Sequence, residues 1–202
     1  MLVKICGITT LEAAKAAEEA GADFIGFVFA PSKRRISPDA AADIAKHLSP
    51  AVKKVGVFVN ETKENIEQIA KMVGLDYIQL HGDEDARFAL ELGMPVIKAF
   101  PIEAVCDETL RAYPCEFYVI DSPGTTYRGG SGNVFDWSRL ERLNIDRRKL
   151  ILAGGLNEQN VAKAISAVRP VGVDVSSGVE TNGKKDVGKI KRFVQAAKNV
   201  DV

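Results

Sequence analysis

Eight short runs rich in β-branched and aromatic residues recur along the whole chain, with helically spaced stretches between them. The runs are "LVKIC" (2–6), "FIGFVF" (24–29), "KVGVFV" (54–59), "YIQLH" (77–81), "PVIKAF" (95–100), "FYVID" (117–121), "LILAG" (150–154) and "VGVDVS" (171–176). The helical patterns include "TLEAAKAAEEAG" (10–21), "TKENIEQIAKMVG" (62–74), "NEQNVAKAISAV" (157–168) and, after the last run, "VGKIKRFVQAAKN" (187–199). The first two close on glycine and the first opens from a threonine, which are the expected stop and start signals. Strands that alternate with helices run parallel, and eight parallel strands close a sheet on itself. The expectation is an α/β fold, a (β/α)8 barrel built as a single domain over residues 1–202. At about 25 residues per unit it is a small one. An open doubly wound sheet is the alternative, but no G-x-G-x-x-G follows the first run.

Alternation along each strand sorts side chains into those facing the barrel axis and those facing the helices. In "LVKIC", Leu2, Lys4 and Cys6 share one face. In "VGVDVS", Val171, Val173 and Val175 face the helices and leave Gly172, Asp174 and Ser176 inside. Asp121 points inward if Val119 does, and Lys98 can point inward in "VIKAF". A barrel interior is normally apolar, so one buried polar pair reads as a satisfied core contact. Lys4, Cys6, Lys98, Asp121 and Asp174 together, several at C-terminal strand ends, argue instead for chemistry.

The bulk properties narrow the class of that chemistry. Lysine plus arginine balances aspartate plus glutamate at 27 each, so no electrostatic footprint for nucleic acid exists. No apolar run approaches the roughly 20 residues that span a bilayer. The N-terminus reads as a strand rather than a signal peptide. Three cysteines (Cys6, Cys106 and Cys115) without a C-x-x-C suggest a reducing, cytoplasmic setting with neither disulfides nor a zinc site. Cys106 and Cys115 read as packing residues.

After run seven comes "LAGGLNEQN" and after run eight "DVSSGVET". Gly154 and Gly155 lack Cβ atoms, so backbone N–H groups there can approach an anion. Ser176, Ser177 and Gly178 open a short extra helix whose N-terminal N–H groups favour negative charge. Each feature alone is an ordinary glycine turn or cap. At these two strands together they match the usual barrel phosphate site, and the ligand expected is a phosphorylated small molecule.

Nearly the whole chain resembles the phosphoribosylanthranilate isomerase family of tryptophan biosynthesis. The resemblance rests on "KICGIT", "GADFIGFVFAPSKR", "VGVFVN", "IQLHGDE", "VIDSPG", "GGSGNVFDW", "LAGGLNEQNV" and "GVDVSSGVE" with the trailing "GKKD". Arg35, where an aromatic is usual, and Asn133, where a basic residue is common, depart from the pattern. The resemblance implies an Amadori rearrangement, aminoaldose to aminoketose, without metal or organic cofactor. It implies Cys6 as base and Asp121 as acid, Arg34 near the anthranilate carboxylate, His81 lining the pocket and Asp174 orienting substrate. A free thiol with a pKa of about 8.5 is a better base if its pKa falls, and Lys4 on the same strand face is placed to lower it. Asp121 needs a dry site to keep its proton, and Gly7 is expected to leave room for substrate. The partner is a small phosphorylated molecule, bound by a monomer or homodimer. A metal-dependent epimerase would need more than the two histidines present. A Schiff-base aldolase would use Lys98, and a non-catalytic metabolite-binding barrel would need neither Cys6 nor Asp121.

Overall fold

In the computed structural model, residues 1–122, 136–141 and 143–200 are described. Asn133 and most of the "GGSGNVFDW" loop lie outside them. Eight parallel strands alternate with helices in the order β1 (Leu2–Cys6), α1 (Leu11–Glu19), β2 (Phe24–Val28), α2 (Pro38–Ala45), β3 (Lys53–Phe58) and α3 (Lys63–Val73). They continue with β4 (Tyr77–Leu80), α4 (Ala86–Glu91), β5 (Val96–Pro101), α5 (Asp107–Ala112), β6 (Phe117–Asp121) and α6 (Ser138–Glu141). β7 (Leu150–Leu152), α7 (Val161–Val168), β8 (Gly172–Val175) and α8 (Val187–Lys198) complete the circuit. Each strand pairs with the next, and β8 returns to β1 to close the barrel, with Lys4 opposite Asp174 across the seam. Between β8 and α8 lie a 3₁₀ turn, Ser177–Val179, and a two-stranded hairpin, β9 (Glu180–Thr181) and β10 (Lys184–Lys185).

The start and stop signals act as local chemistry dictates. Thr10 accepts from the Ala13 N–H and Thr62 from the Asn65 N–H, each satisfying an orphan donor of its helix. Gly74 ends α3 at φ 70°, a left-handed conformation that costs glycine little.

Two apolar clusters follow from the alternation. One fills the space between sheet and helices. The other, Phe24, Val55, Ile97, Ala99, Val119, Ile151 and Ala153, fills the barrel axis. Phe24, Tyr77 and Phe117 begin β2, β4 and β6, and their rings meet with centroids 5.6–6.2 Å apart. This aromatic plug closes the N-terminal end, so polar side chains collect at the C-terminal end. Val171 joins the interior cluster rather than the helix side, because it precedes β8.

Lys98 does not point inward. Ile97 and Ala99 take the axis, leaving Lys98 on the outer face with Val96 and Phe100. There its Nζ donates to the Gly82 carbonyl (2.6 Å) and to Glu84 Oε2 (3.0 Å). The same alternation sends Val119 inward and Asp121 with it. Among the described residues, no helix is long and apolar enough to cross a membrane.

Candidate active site

The C-terminal rim of the barrel assembles from the end of β1. Lys4 is fully buried and donates to Asp174 Oδ2 at 2.9 Å. Two residues on, Cys6 faces Gly26 of β2, where any Cβ would stand 2.9 Å from the thiol sulfur. Glycine at 26 is therefore the space that the thiol occupies. Burial pushes the Cys6 thiol up, outweighing the pull of Lys4 and of Lys185, and Asp174 adds to the rise. Lys4 does pull the thiol down, as expected of it, but the net shift is upward, because the buried thiolate loses water and Asp174 opposes the Lys4 charge. For Lys4 burial is likewise opposed, but Asp174 and Cys6 prevail and hold its ammonium above the usual lysine value.

Gly7 has φ 76°, and the space beside its Cα belongs to Arg34, whose Cδ would stand 2.6 Å from a Cβ there. The room expected for substrate is taken by a protein side chain. Arg34 itself forms a two-pronged pair with Glu180, Nε to Oε1 at 2.6 Å and Nη2 to Oε2 at 2.9 Å. Glu180 also accepts from Lys185 Nζ at 2.6 Å, and these two cations hold its carboxyl below the usual range despite burial. Lys185 reaches the Ser176 carbonyl and hydroxyl, and the Ser176 hydroxyl donates to the Cys6 carbonyl at 3.1 Å.

β6 delivers Asp121 to the same rim, buried, with Oδ1 accepting from the Ser122 N–H (2.7 Å) and hydroxyl (3.3 Å). β4 delivers His81, whose Nδ1 lies 3.3 Å from the buried Gln79 Nε2. An amide NH₂ only donates, so Nδ1 accepts and the ring proton sits on Nε2. Two buried acceptors lack a partner among the described residues: Asp174 Oδ1 and Gln79 Oε1.

The loops after β7 and β8 pack as one unit. Gly154 and Gly155 have φ 86° and 64°, and a Cβ on Gly178 would land on the Leu156 carbonyl oxygen. Asn160 Nδ2 holds the Gly155 carbonyl at 3.0 Å. Among the described residues, the N–H groups of Gly154, Gly155, Ser177 and Gly178 donate to no protein acceptor. Ser176 belongs to the strap to Cys6, whereas Ser177 opens the 3₁₀ turn. No group of three or more His, Cys, Asp or Glu side chains suited to a metal occurs among the described residues.

A sequence model of N-(5'-phosphoribosyl)anthranilate isomerases matches residues 3–196. The chain belongs to this family. The N-(5'-phosphoribosyl)anthranilate isomerase of Listeria monocytogenes (strain EGD-e) is 49% identical over the full length of both chains. The crystal structure of the phosphoribosylanthranilate isomerase of Thermus thermophilus superposes with a TM-score of 0.90, at 38% identity and full coverage of both. A further isomerase structure, 42% identical over 98% of each chain with a TM-score of 0.79, holds reduced 1-(o-carboxyphenylamino)-1-deoxyribulose 5-phosphate.

Of the residues singled out in the sequence, Cys6, Asp121 and Asp174 meet at the C-terminal rim, with Arg34, His81 and both glycine loops around them. Sequence reasoning did not single out Gln79, Glu180 and Lys185, which lie beside them. Gln79 was legible by alternation, sharing a face with His81. The hairpin carrying Glu180 and Lys185 was legible in Asn182-Gly183, both at positive φ, a dipeptide that marks tight turns. Cys115 is buried as expected of a packing residue, but Cys106 is exposed at the start of α5.

Proposed function

We propose that the chain catalyses the Amadori rearrangement of N-(5'-phosphoribosyl)anthranilate to 1-(2-carboxyphenylamino)-1-deoxyribulose 5-phosphate, a step of tryptophan biosynthesis. Asp121 protonates the ribose ring oxygen, the C1′–O bond breaks, and the anilino nitrogen lone pair forms a Schiff base. Cys6, as thiolate, takes the C2′ proton to give an enolamine. The C2′ hydroxyl then loses a proton and C1′ gains one, so product and substrate are isomers and no redox cofactor is consumed.

The observation that carries this reading is the position of the Cys6 sulfur. It is seated against Gly26 at the rim, at the end of the strand that carries the Lys4–Asp174 pair, and the Cys6 carbonyl is tied through the Ser176 hydroxyl to the loop bearing Ser177 and Gly178. The N–H groups of Gly154, Gly155, Ser177 and Gly178, which donate to no protein acceptor among the described residues, receive the phosphate. Arg34 presents to the anthranilate carboxylate the edge of its guanidinium that Glu180 leaves open. His81 donates from Nε2, and Asp174 Oδ1 accepts from a substrate hydroxyl. The chain works as a single cytoplasmic domain over residues 1–202, monomer or homodimer, without metal or organic cofactor. Lys98, turned away from the axis, gives no support to a Schiff-base aldolase.

Turnover of phosphoribosylanthranilate, followed by its fluorescence, tests the assignment. Cys6→Ser and Asp121→Asn should each lower kcat by about 10²–10⁴ with little change in KM. Near-normal turnover in either variant removes that residue from the mechanism.

A further inference from the structure

Lys185 lies beyond the last barrel strand, and no step of the reaction above uses it. Yet its side chain is only 4% exposed, an environment that disfavours an ammonium unless every N–H is matched. It is matched three times: Glu180 Oε1 at 2.6 Å, the Ser176 carbonyl at 2.9 Å and the Ser176 hydroxyl at 3.2 Å. That hydroxyl donates onward to the Cys6 carbonyl, so the ammonium braces the end of β1 through one serine.

Charge counting gives this lysine a second consequence. The groups acting on the Cys6 thiol are Lys4 from its own strand, Asp174 from β8, Lys185 from β10 and Arg34 from the loop after β2, while β2 itself offers only Gly26. Lys4 and Asp174 form a neutral pair. Arg34 and Lys185 share the single carboxylate of Glu180, leaving one net positive charge in that cluster of three. Among the described residues that act on the thiol, the positive charge not already cancelled therefore belongs to this cluster.

We propose that Lys185 is a positioning residue for Cys6, its buried ammonium holding Ser176 against the end of β1 and supplying the thiol with uncancelled positive charge. The proposal rests on Cys6 being the base, and its test does not require turnover. The thiolate absorbs in the ultraviolet, and the difference spectrum between the wild type and Cys6→Ser isolates Cys6 from the other thiols and the tyrosines. In Lys185→Met the cluster falls from one net charge to none, and the Cys6 midpoint should rise by roughly one pH unit. Lys185→Arg keeps the charge and should return the midpoint toward the wild type. Glu180→Gln removes the anion and keeps both cations, so the midpoint should fall. Opposite shifts from two substitutions in one cluster are not a result of mere loosening. An unmoved midpoint in folded Lys185→Met, or shifts of the same sign in both variants, overturns the proposal. Should Lys185→Met not fold, the sign in Glu180→Gln decides. Full turnover by Cys6→Ser would instead sink the base assignment while leaving this titration readable.

Discussion

A thiol that burial has pushed up is a scarce thiolate at neutral pH, and the pH dependence of the reaction follows from that. With Cys6 as the proposed base and Asp121 as the proposed acid, the working form carries the one deprotonated and the other protonated, so kcat/KM should trace a bell across pH. The Cys6 limb should lie above the ordinary thiol value of about 8.5, because its charged form is the one disfavoured by burial. Substituting Asp121 should abolish the other limb, and Cys106→Ser should alter neither. Gly26 offers a sharper probe of position. A methyl at 26 would stand 2.9 Å from the sulfur, which forces the thiol aside without touching its chemistry. Gly26→Ala should keep the fold and lower kcat by up to about 10²-fold, since a displacement near 1 Å suffices for that. Wild-type kcat in Gly26→Ala, measured with the same fluorescence assay, would show that the thiol tolerates repositioning. Gly178→Ala carries the same logic to the loops proposed to receive the phosphate, because its Cβ would collide with the Leu156 carbonyl. Inorganic phosphate should compete with substrate in the wild type and lose that effect in the variant.

At the scale of elements, the loops after β3 and β4 hang on one buried carboxylate. Glu84 accepts from Lys98 Nζ, from the Gly82 N–H at 2.9 Å and from the Asn60 N–H at 2.7 Å. Both side chains of the pair are less than 5% exposed. Lys98→Met would leave Glu84 buried without its cation, at a cost of about 3–5 kcal/mol, and chemical denaturation should read that loss. The substitution should also loosen the end of β4 that carries His81, raising KM. By contrast Thr62→Ala removes only the cap of α3 and should cost about 1 kcal/mol with unchanged kinetics. The interior role expected of Lys98 failed for a physical reason. In "PVIKAF" apolar residues flank the lysine on both parities, so alternation alone leaves the phase of the strand undetermined. Its partner Glu84 sits 14 residues earlier, in another unit. Asp121 was readable because the identity of its face hung on Val119 alone.

For the molecule as a whole, the barrel was legible in the rhythm of eight runs, and strand positions fall within about two residues of the observed ones. What the rhythm cannot convey is electrostatics that depends on which loops meet. The Arg34–Glu180–Lys185 cluster joins residues 146 positions apart, and the rise in the Cys6 thiol reflects a depth of burial that no single strand displays. Ligand should stabilise the entire fold by mass action. Inorganic phosphate at 100 times its Kd should add about 2.7 kcal/mol, seen as a higher Tm, and Gly178→Ala should lose that gain. The seam where β8 meets β1 has one more consequence, for the order in which the chain is made. Lys4 leaves the ribosome 170 residues ahead of its carboxylate partner Asp174. Until then a docked β1 would bury an unmatched ammonium, so the docking of β1 has to wait for β8. The surroundings of Cys6 are complete only when Lys185 emerges, and a nascent chain cut short anywhere before that point carries the thiol without its setting.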